Sequence, residues 1–434
     1  MRPHTTHLLH AGPRSARLIG ASAVAAVAAL AVAGFAGSAS SAARSQSAAI
    51  PAPNKNPITL LFGSSGTPET KAEQAAAKAF TKKTGIPVKV EPSANLTQDL
   101  AQDFAANKPP NLFYLDPTSF QQYVTKGVLA NYGKDLPNAN GFFPALNSAF
   151  TSKGKLYCAP KDASALSLYI NKADWKAAGL TQADYPKNWN QLQADAQKLT
   201  ANGTVGLVTD PSESRLLPFL YQSGGTVLNK AGTKVTLNSA ANVKALTFLQ
   251  GMLKKGIMAF PSTLSESDEI PALGDGKAAM IITGPWMGAE MSSDFPKVKY
   301  TILPLPAGPT GIHATLSFTN CWGVASNNSN LGGTIEFVKF LTTPKQQLAF
   351  SKAFGPIPSL MGAAKQYQKL FPSHAEEAKA LSSAHADISI AGATQALTAF
   401  NSALGQLATQ SPQSILATAQ KNLQAVVNQN KSQG

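Results

Sequence analysis

Cysteine is almost absent from this chain of 434 residues, which contains only Cys158 and Cys321. Two cysteines are too few for a structural zinc site. In an exported protein the pair is able to form a disulfide, but free cysteines are also common in buried cores. Both alternatives remain open at this point.

Histidine is scarce, and positive charge has no long block. Three of the six histidines fall in the first 49 residues, and His313, His374 and His385 are scattered without ligand spacing. We therefore expect no metal site and no cofactor. The longest basic run is a pair such as Lys82 and Lys83. With no nucleic-acid motif present, a solvated basic surface is favoured over a nucleic-acid partner.

Acidic residues are absent from residues 1–49, which hold four arginines and an apolar stretch at 18–37. The small-residue sequence SASSAARSQSAA follows, so the pattern predicts a secretory signal peptide cleaved between about 38 and 49. An uncleaved membrane anchor is the alternative, because roughly 20 apolar residues span a bilayer. Without this segment the chain has 33 basic and 23 acidic side chains, a net charge of +10.

Strand and helix patterns alternate after the predicted signal peptide. Strands are predicted at 58–66, 87–92 and 112–115, with a helix at 69–85 after the first of them. This β-α-β order indicates a mainly parallel sheet. Polar residues follow two of the strands: Ser64, Ser65, Thr67 and Asp116. Ligands bind at that carboxyl edge in open α/β sheets.

A second candidate edge lies in GDGKAAMIITGPWMGAEM, residues 274–291. The short apolar run 278–283, bounded by glycines, predicts a strand covered on both faces. Gly284 then turns the chain, and Pro285 suits the first position of a helix. Trp286 is therefore expected at the rim of this strand's carboxyl end.

Seven stretches, taken in order, resemble one family: GKLYCAPKD, LYINKADW, PKNWNQLQADAQKLT, QSGGTVLN, ALTFLQGMLKKG, GDGKAAMIITGPW and CWGVASNNSNLGGTIEFVKFLTTPKQQ. Together they are similar to the extracellular solute-binding proteins of ABC importers, the family that serves maltose-like and other oligosaccharide systems. The resemblance covers nearly all of the chain after residue 49.

The resemblance implies an α/β, two-lobed, periplasmic-binding-protein-like (type II) fold with hinge-crossing strands. Lobe one is expected at 56–159 plus 305–360, and lobe two at 160–304 plus 361–434. The proline-marked sequences CAPK and ILPLPAGP are expected at the crossings. A hinge needs only a few residues to absorb the closing motion.

The resemblance also implies a sugar site. Pyranose faces stack on aromatic rings, and sugar hydroxyls need oriented donors and acceptors. Trp286 matches the stacking tryptophan of the family's Gly-Pro-Trp, and Asp116 matches an acid that accepts hydroxyl hydrogen bonds. Ser64, Ser65 and Thr67 supply hydroxyls. A core tryptophan, a helix-capping aspartate and a plain turn are the alternatives.

Six weaker candidates extend this site: Asp162, Ser164, Glu213, Arg215, Phe318 and Trp322. The last two are expected to offer a second ring. Trp175 and Trp189 are expected to serve packing. The C-terminal helical segment ADISIAGATQALTAFNSAL lacks the aromatic that maltose binders place in their cleft, which argues against maltose itself.

In the resembled fold Cys158 and Cys321 lie on neighbouring strands of one sheet, so the resemblance favours a disulfide between them. The bridge would close a loop of 163 residues.

The predicted function is capture of a sugar or oligosaccharide and its delivery to the membrane permease subunits of an ABC importer. We expect a monomer that is exported, extracellular or associated with the cell envelope, without a lipid-modified cysteine after the signal peptide. We expect no enzymatic activity. The alternatives are an exported carbohydrate-active enzyme, with Asp116 and Glu213 as its paired acids, and a lectin-like carbohydrate-binding protein.

Overall fold

The computed structural model describes residues 50–432. The predicted signal peptide or anchor at 1–49 lies outside this range. Within it, no helix is both long enough and apolar enough to cross a membrane.

The strands in the described part of the chain are short and fall into three main sheets and one hairpin. They are β1 (Ile58–Gly63), β2 (Val88–Ser93), β3 (Leu112–Leu115), β4 (Thr151–Ser152), β5 (Lys155–Leu156), β6 (Asp162–Ala165), β7 (Ser167–Asn171), β8 (Val205–Val208), β9 (Met258–Ala259), β10 (Ala278–Thr283), β11 (Tyr300–Leu303), β12 (Thr315–Phe318), β13 (Cys321–Val324), β14 (Ile357–Pro358) and β15 (Ala384–Ala386).

The α-helices cover the sheets. They are α1 (Thr67–Thr84), α2 (Leu96–Ala105), α3 (Pro117–Thr125), α4 (Pro144–Ala149), α5 (Lys172–Ala177), α6 (Trp189–Leu199), α7 (Glu213–Gln222), α8 (Ala240–Lys254), α9 (Glu269–Gly274), α10 (Met287–Ser293), α11 (Leu331–Leu341), α12 (Pro344–Phe354), α13 (Met361–Leu370), α14 (Ala375–Ala380), α15 (Thr394–Leu404) and α16 (Pro412–Ser432).

The first sheet has the strand order β13-β3-β1-β2. β1 runs parallel to β2 and β3, as the β-α-β pattern predicts, and β13 is antiparallel to β3. α1 connects β1 to β2 and ends at Gly85, whose φ of 70° is the left-handed conformation that glycine adopts easily. Leu60, Phe62 and Phe113 are fully buried in the core of this sheet.

The second sheet has the order β11-β7-β10-β8-β9. β10 is parallel to β8 and antiparallel to β7, and all six of its residues are buried. Met280 and Ile282 pack into one core, whereas Ala278 and Ile281 pack into another. The predicted strand covered on both faces is thereby confirmed.

A third sheet, β14-β6-β12-β15, lies where the chain passes between the other two. β6 continues into β7 of the second sheet, and β12 continues into β13 of the first. These two passages run antiparallel, with Phe318 opposite Ser164. Their pairing continues beyond the strands, because the Lys161 N–H donates to the Asn320 carbonyl at 2.8 Å.

The C-terminal region packs in two places. Leu404 in α15 and Leu416 and Leu423 in α16 are buried in the core of the second sheet. Tyr367 in α13 instead packs beside β6 and β14 in a separate apolar cluster. The assignment of residues to two lobes remains a prediction.

Candidate functional site

Trp286 lies immediately beyond the carboxyl end of β10, and 40% of it is exposed. α10 begins at Met287 rather than at Pro285, so Trp286 is part of the turn that precedes the helix. A Cβ atom at Gly284 would lie 2.1 Å from the Trp286 ring. Glycine is therefore needed here because the indole folds back over the backbone.

Three predicted residues meet at this rim. The rings of Trp286 and Phe318 lie edge to face, with their centres 5.5 Å apart. The guanidinium carbon of Arg215 lies 5.2 Å from the centre of the Trp286 ring and 6.0 Å from that of Phe318. Aromatic pairs favour the edge-to-face arrangement, and a cation over a ring adds to it. The cluster combines an apolar surface with a fixed hydrogen-bond donor.

Arg215 is oriented by a buried carboxylate. Its Nε donates to Glu269 Oε1 at 3.0 Å, and Glu269 is only 1% exposed. Arg215 lies in the first turn of α7, and Glu269 begins α9. The ends of two helices therefore set the position of the guanidinium. Glu269 is a residue that the sequence analysis missed.

Further carboxylates surround Arg215. Burial raises the pKa of Asp210, and the nearby Glu269 raises it further while Arg215 opposes the change. Burial also raises the pKa of Asp387, against opposing effects of the Ile388 N–H and Arg215. One arginine thus sits in an acidic environment. Neither Asp210 nor Asp387 was predicted.

Glu213 belongs to the same environment. Its N–H donates to Asn401 Oδ1 at 2.7 Å, which joins α7 to α15. Burial raises the pKa of its carboxyl group, and the charge on Asp387 adds to the effect. Its Oε2 is buried without a hydrogen-bond partner. Glu213 therefore has an acceptor that no protein donor uses.

The polar residues at the edge of the first sheet are largely engaged in local bonds. Asp116 Oδ1 accepts from the Ser119 N–H at 2.9 Å and from the Thr118 hydroxyl, so it caps α3. The Ser389 hydroxyl donates to the Pro117 carbonyl at 2.5 Å. This contact brings the loop that carries Asp387 to the start of α3.

The loop after β1 holds its hydroxyls in a turn. The Ser64 hydroxyl donates to the Gly66 carbonyl at 2.8 Å. Both the N–H and the hydroxyl of Ser65 donate to Glu69 Oε2, at 2.7 and 2.6 Å. Ser65 therefore retains acceptor capacity but has no free proton to donate. Thr67 is exposed at the first position of α1.

Asp162 and Ser164 lie in the passage between the sheets. Asp162 Oδ2 lies 2.5 Å from Lys161 Nζ. Burial raises the pKa of Asp162 despite this neighbouring charge. The Ser164 hydroxyl donates to the Phe318 carbonyl at 3.3 Å. Ser164 thus helps to fix the backbone of a residue in the aromatic cluster.

Trp322 is fully buried, which corrects the expectation that it offers a ring to a ligand. It packs edge to face against Tyr114 at 5.2 Å, because its side chain points into the core of the first sheet. Phe318 lies beside Trp286 instead, so only one of the two proposed rings is in the cluster. Trp175 and Trp189 are each 4% exposed, as expected for packing residues.

The structure places a disulfide between Cys158 and Cys321, whose Cα atoms are 5.7 Å apart. The two backbones also pair beside the disulfide. Pro160 and Cys321 form an isolated β-bridge, and the backbone N–H of Trp322 donates to the Ala159 carbonyl at 3.0 Å. The bond therefore fastens the start of the first passage to the end of the second. Within residues 50–432, no group of three or more metal-binding side chains is assembled.

Solved structures of binding proteins have the same architecture. One is a cyclic α-maltosyl-1,6-maltose binding protein from Arthrobacter globiformis, with a TM-score of 0.76 and 19% identity over 86% of this chain and 99% of that one. Another is an ABC substrate-binding protein from Listeria monocytogenes in complex with cycloalternan. Its TM-score is 0.72, with 22% identity over 87% of this chain and 100% of that one. The fold is thus the α/β fold of periplasmic-binding-protein-like domains.

The sequence itself matches the family of bacterial extracellular solute-binding proteins over residues 63–348. The chain belongs to that family. Among curated relatives, a binding protein of Brucella abortus (strain 2308) is 28% identical over 294 residues, which cover 65% of this chain and 71% of the relative.

Proposed function

We propose that this solute-binding protein captures a neutral sugar or oligosaccharide between two lobes and delivers it to the membrane subunits of an ABC importer. The lobes are those predicted above, 56–159 plus 305–360 and 160–304 plus 361–434. The protein acts as an exported monomer, at the cell surface or outside the cell.

The partly exposed ring of Trp286 carries the proposal. Most tryptophans bury their large apolar surface, so a tryptophan that is 40% exposed, with its ring held by Phe318 and Arg215, is suited to an external partner. The C–H face of a pyranose fits such a surface, because it is apolar and flat. Similar structures whose described ligands are cycloalternan and cyclic maltosyl-maltose support this chemical class.

The charges around Trp286 favour hydroxyl groups over anions. Arg215 lies near three carboxylates, those of Asp210, Glu269 and Asp387, and Asp387 in turn lies near Glu213. Carboxylates accept hydrogen bonds from hydroxyls, whereas a phosphate or carboxylate ligand would meet like charges in a partly desolvated site. A neutral polyhydroxylated ligand therefore satisfies this site best.

A thermal-shift screen tests the proposal. The probes are glucose, maltose, maltotetraose and cycloalternan, with glycerol 3-phosphate as the anionic counterpart. A ligand at about 100 times its Kd adds about 2.7 kcal/mol to the free energy of unfolding. We expect a rise in the melting temperature with at least one neutral saccharide. A rise with the anion alone would overturn the proposed ligand class, and no rise with any saccharide would overturn the function.

The enzyme alternative is tested with the same saccharides. A glycosidase needs two carboxyl groups on either side of the scissile bond. Oδ1 of Asp116 instead accepts from the Ser119 N–H and the Thr118 hydroxyl, so this carboxylate caps α3. We expect the protein to bind a saccharide and release it unchanged. Release of shorter products, detected by chromatography, would support the enzyme alternative.

A further inference from the structure

Glu69 connects the loop after β1 to the interior of the protein. It is 3% exposed, and its Oε2 accepts both bonds from Ser65. Its Oε1 accepts from Lys161 Nζ at 3.0 Å and from the Tyr114 hydroxyl at 3.0 Å. One carboxylate thus holds two donors from the loop and two donors from the core.

Lys161 lies where the chain passes between the sheets. It is 6% exposed, and its Nζ also contacts Asp162 and lies 4.4 Å from the centre of the Tyr114 ring. Its N–H donates to the Asn320 carbonyl of the second passage. Any change in the path of the passage at this residue therefore moves the cation that Glu69 holds.

We propose that Glu69 is a positioning residue that couples the Ser64–Ser65 loop to the crossing segment at Lys161. Under this assignment, which rests on the proposed function, contact of a ligand with the loop and movement of the passages are linked through one ion pair. The link is direct: Ser65 to Glu69 to Lys161, with bond lengths of 2.6 to 3.0 Å.

The electrostatics of the cluster distinguish Glu69 from its neighbour Glu73. Burial works to raise the pKa of Glu69, but Lys161 and the Ser65 bonds outweigh burial and lower it. Burial raises the pKa of Glu73 to about 8, despite the opposing charge of Lys161. At neutral pH Glu69 is charged and Glu73 is mainly protonated. Glu73 bonds to Tyr114 at 2.8 Å, and Ser65 donates to Glu69 alone.

Glu69→Gln and Glu73→Gln therefore form a matched pair. Each keeps the side-chain volume on the same face of α1. Glu69→Gln removes a charge and replaces an acceptor with an amide that donates toward Ser65 or Lys161. Glu73→Gln resembles the protonated acid already present. Ser65→Ala is a third variant, which removes one bond to Glu69 from an exposed position.

Hydrogen–deuterium exchange at pH 7 on the protein without ligand gives the first readout. In Glu69→Gln we expect exchange to quicken by about tenfold or more, both at 63–67 and at 158–163, because bonds to a charged acceptor are lost. In Ser65→Ala we expect exchange to quicken about threefold at the loop and by a smaller factor at 158–163. Glu73→Gln should not quicken exchange at either segment by more than about twofold.

Faster exchange at the loop alone, in both Glu69→Gln and Ser65→Ala, would overturn the coupling. Equal effects of Glu69→Gln and Glu73→Gln would also overturn it, since they would indicate general loosening of α1. If Glu69→Gln does not fold, the comparison of Ser65→Ala with Glu73→Gln tests the coupling, because Ser65→Ala removes a bond to Glu69 and Glu73→Gln does not.

Binding gives the second readout, with maltotetraose and cycloalternan as probes and tryptophan fluorescence as the signal. Glu69→Gln should weaken binding at least tenfold, whereas Glu73→Gln should change it by less than about twofold. Unchanged affinity in folded Glu69→Gln would overturn the positioning role. If no saccharide of the thermal-shift screen binds the native protein, the proposed ligand class fails, while the exchange experiment still tests the coupling.

Discussion

The guanidinium of Arg215 lies against the Trp286 ring, 5.2 Å from its centre, while its Nε is bonded to the buried Glu269. The cation therefore restrains the indole from one side, and the carboxylate restrains the cation. An exposed aromatic ring held in one orientation loses little conformational entropy when a ligand stacks on it.

Replacing Trp286 should weaken saccharide binding without changing the fold. Trp286→Ala is expected to weaken saccharide binding by about 1 to 3 kcal/mol, because the stacking surface is lost, and to leave the fold intact. Trp286→Phe keeps part of the surface and should lose less. Titration calorimetry measures both variants. Native affinity in a folded Trp286→Ala protein would contradict the stacking role.

Replacing only one member of the Arg215–Glu269 pair should lower the free energy of unfolding more than replacing both. Arg215→Met leaves the Glu269 carboxylate buried without its cation, which is expected to lower the free energy of unfolding by about 3 kcal/mol. The double variant Arg215→Met/Glu269→Gln should recover most of that loss. Urea unfolding provides the values. Additive losses in the double variant would mean that the two residues act independently.

Ligand binding should close the two proposed lobes. Small-angle scattering is expected to give a smaller radius of gyration with a saturating saccharide, because hinge closure draws the lobes together. Trp286→Ala at the same ligand concentration serves as the control with weakened binding. An unchanged radius in the native protein at saturation would favour a rigid, lectin-like binder.

The disulfide should be present in the exported protein and should stabilise it. Alkylation without reduction is expected to modify neither Cys158 nor Cys321, as judged by mass spectrometry. For a closed loop of 163 residues, the chain-entropy model gives a contribution of up to about 5 kcal/mol to the free energy of unfolding. Two alkylated cysteines in folded protein would show a pair of buried thiols instead.

Glu73 should make stability decrease as pH rises. Its pKa is raised to about 8 in the folded protein, so between about pH 4.5 and 8 the folded state holds a proton that the unfolded state has lost. Stability therefore falls across that range, by at most about 1.4 kcal/mol per pH unit, and levels off above it. Unfolding curves of the native protein and Glu73→Gln should converge at low pH. Parallel pH profiles would contradict the assignment.

The position of Trp286 could be predicted because its signals are local. An apolar run bounded by glycines predicts the buried strand β10, and the sequence Gly-Pro-Trp ends it. The close approach of the indole to Gly284 was not foreseen, since it depends on the direction of a side chain. The start of α10 was predicted at Pro285, two residues before its first residue, Met287.

Partners that are distant in the sequence could not be predicted. Asp387 lies near Arg215 because it follows β15, which pairs with β12, and no local pattern specifies that pairing. The buried ion pair of Glu69 and Lys161 likewise joins residues 92 positions apart. Trp322 was misjudged because β13 is buried on both faces, so that no side chain of this strand is left for a ligand.

The disulfide has a consequence for the covalent connectivity of the protein. All of β7 to β11 lies between Cys158 and Cys321. A protease that cuts any peptide bond in this interval leaves two fragments that are still joined through sulfur, whereas a cut outside it releases a piece of the chain. A single cut in the second sheet therefore releases no fragment unless a reductant breaks the buried disulfide.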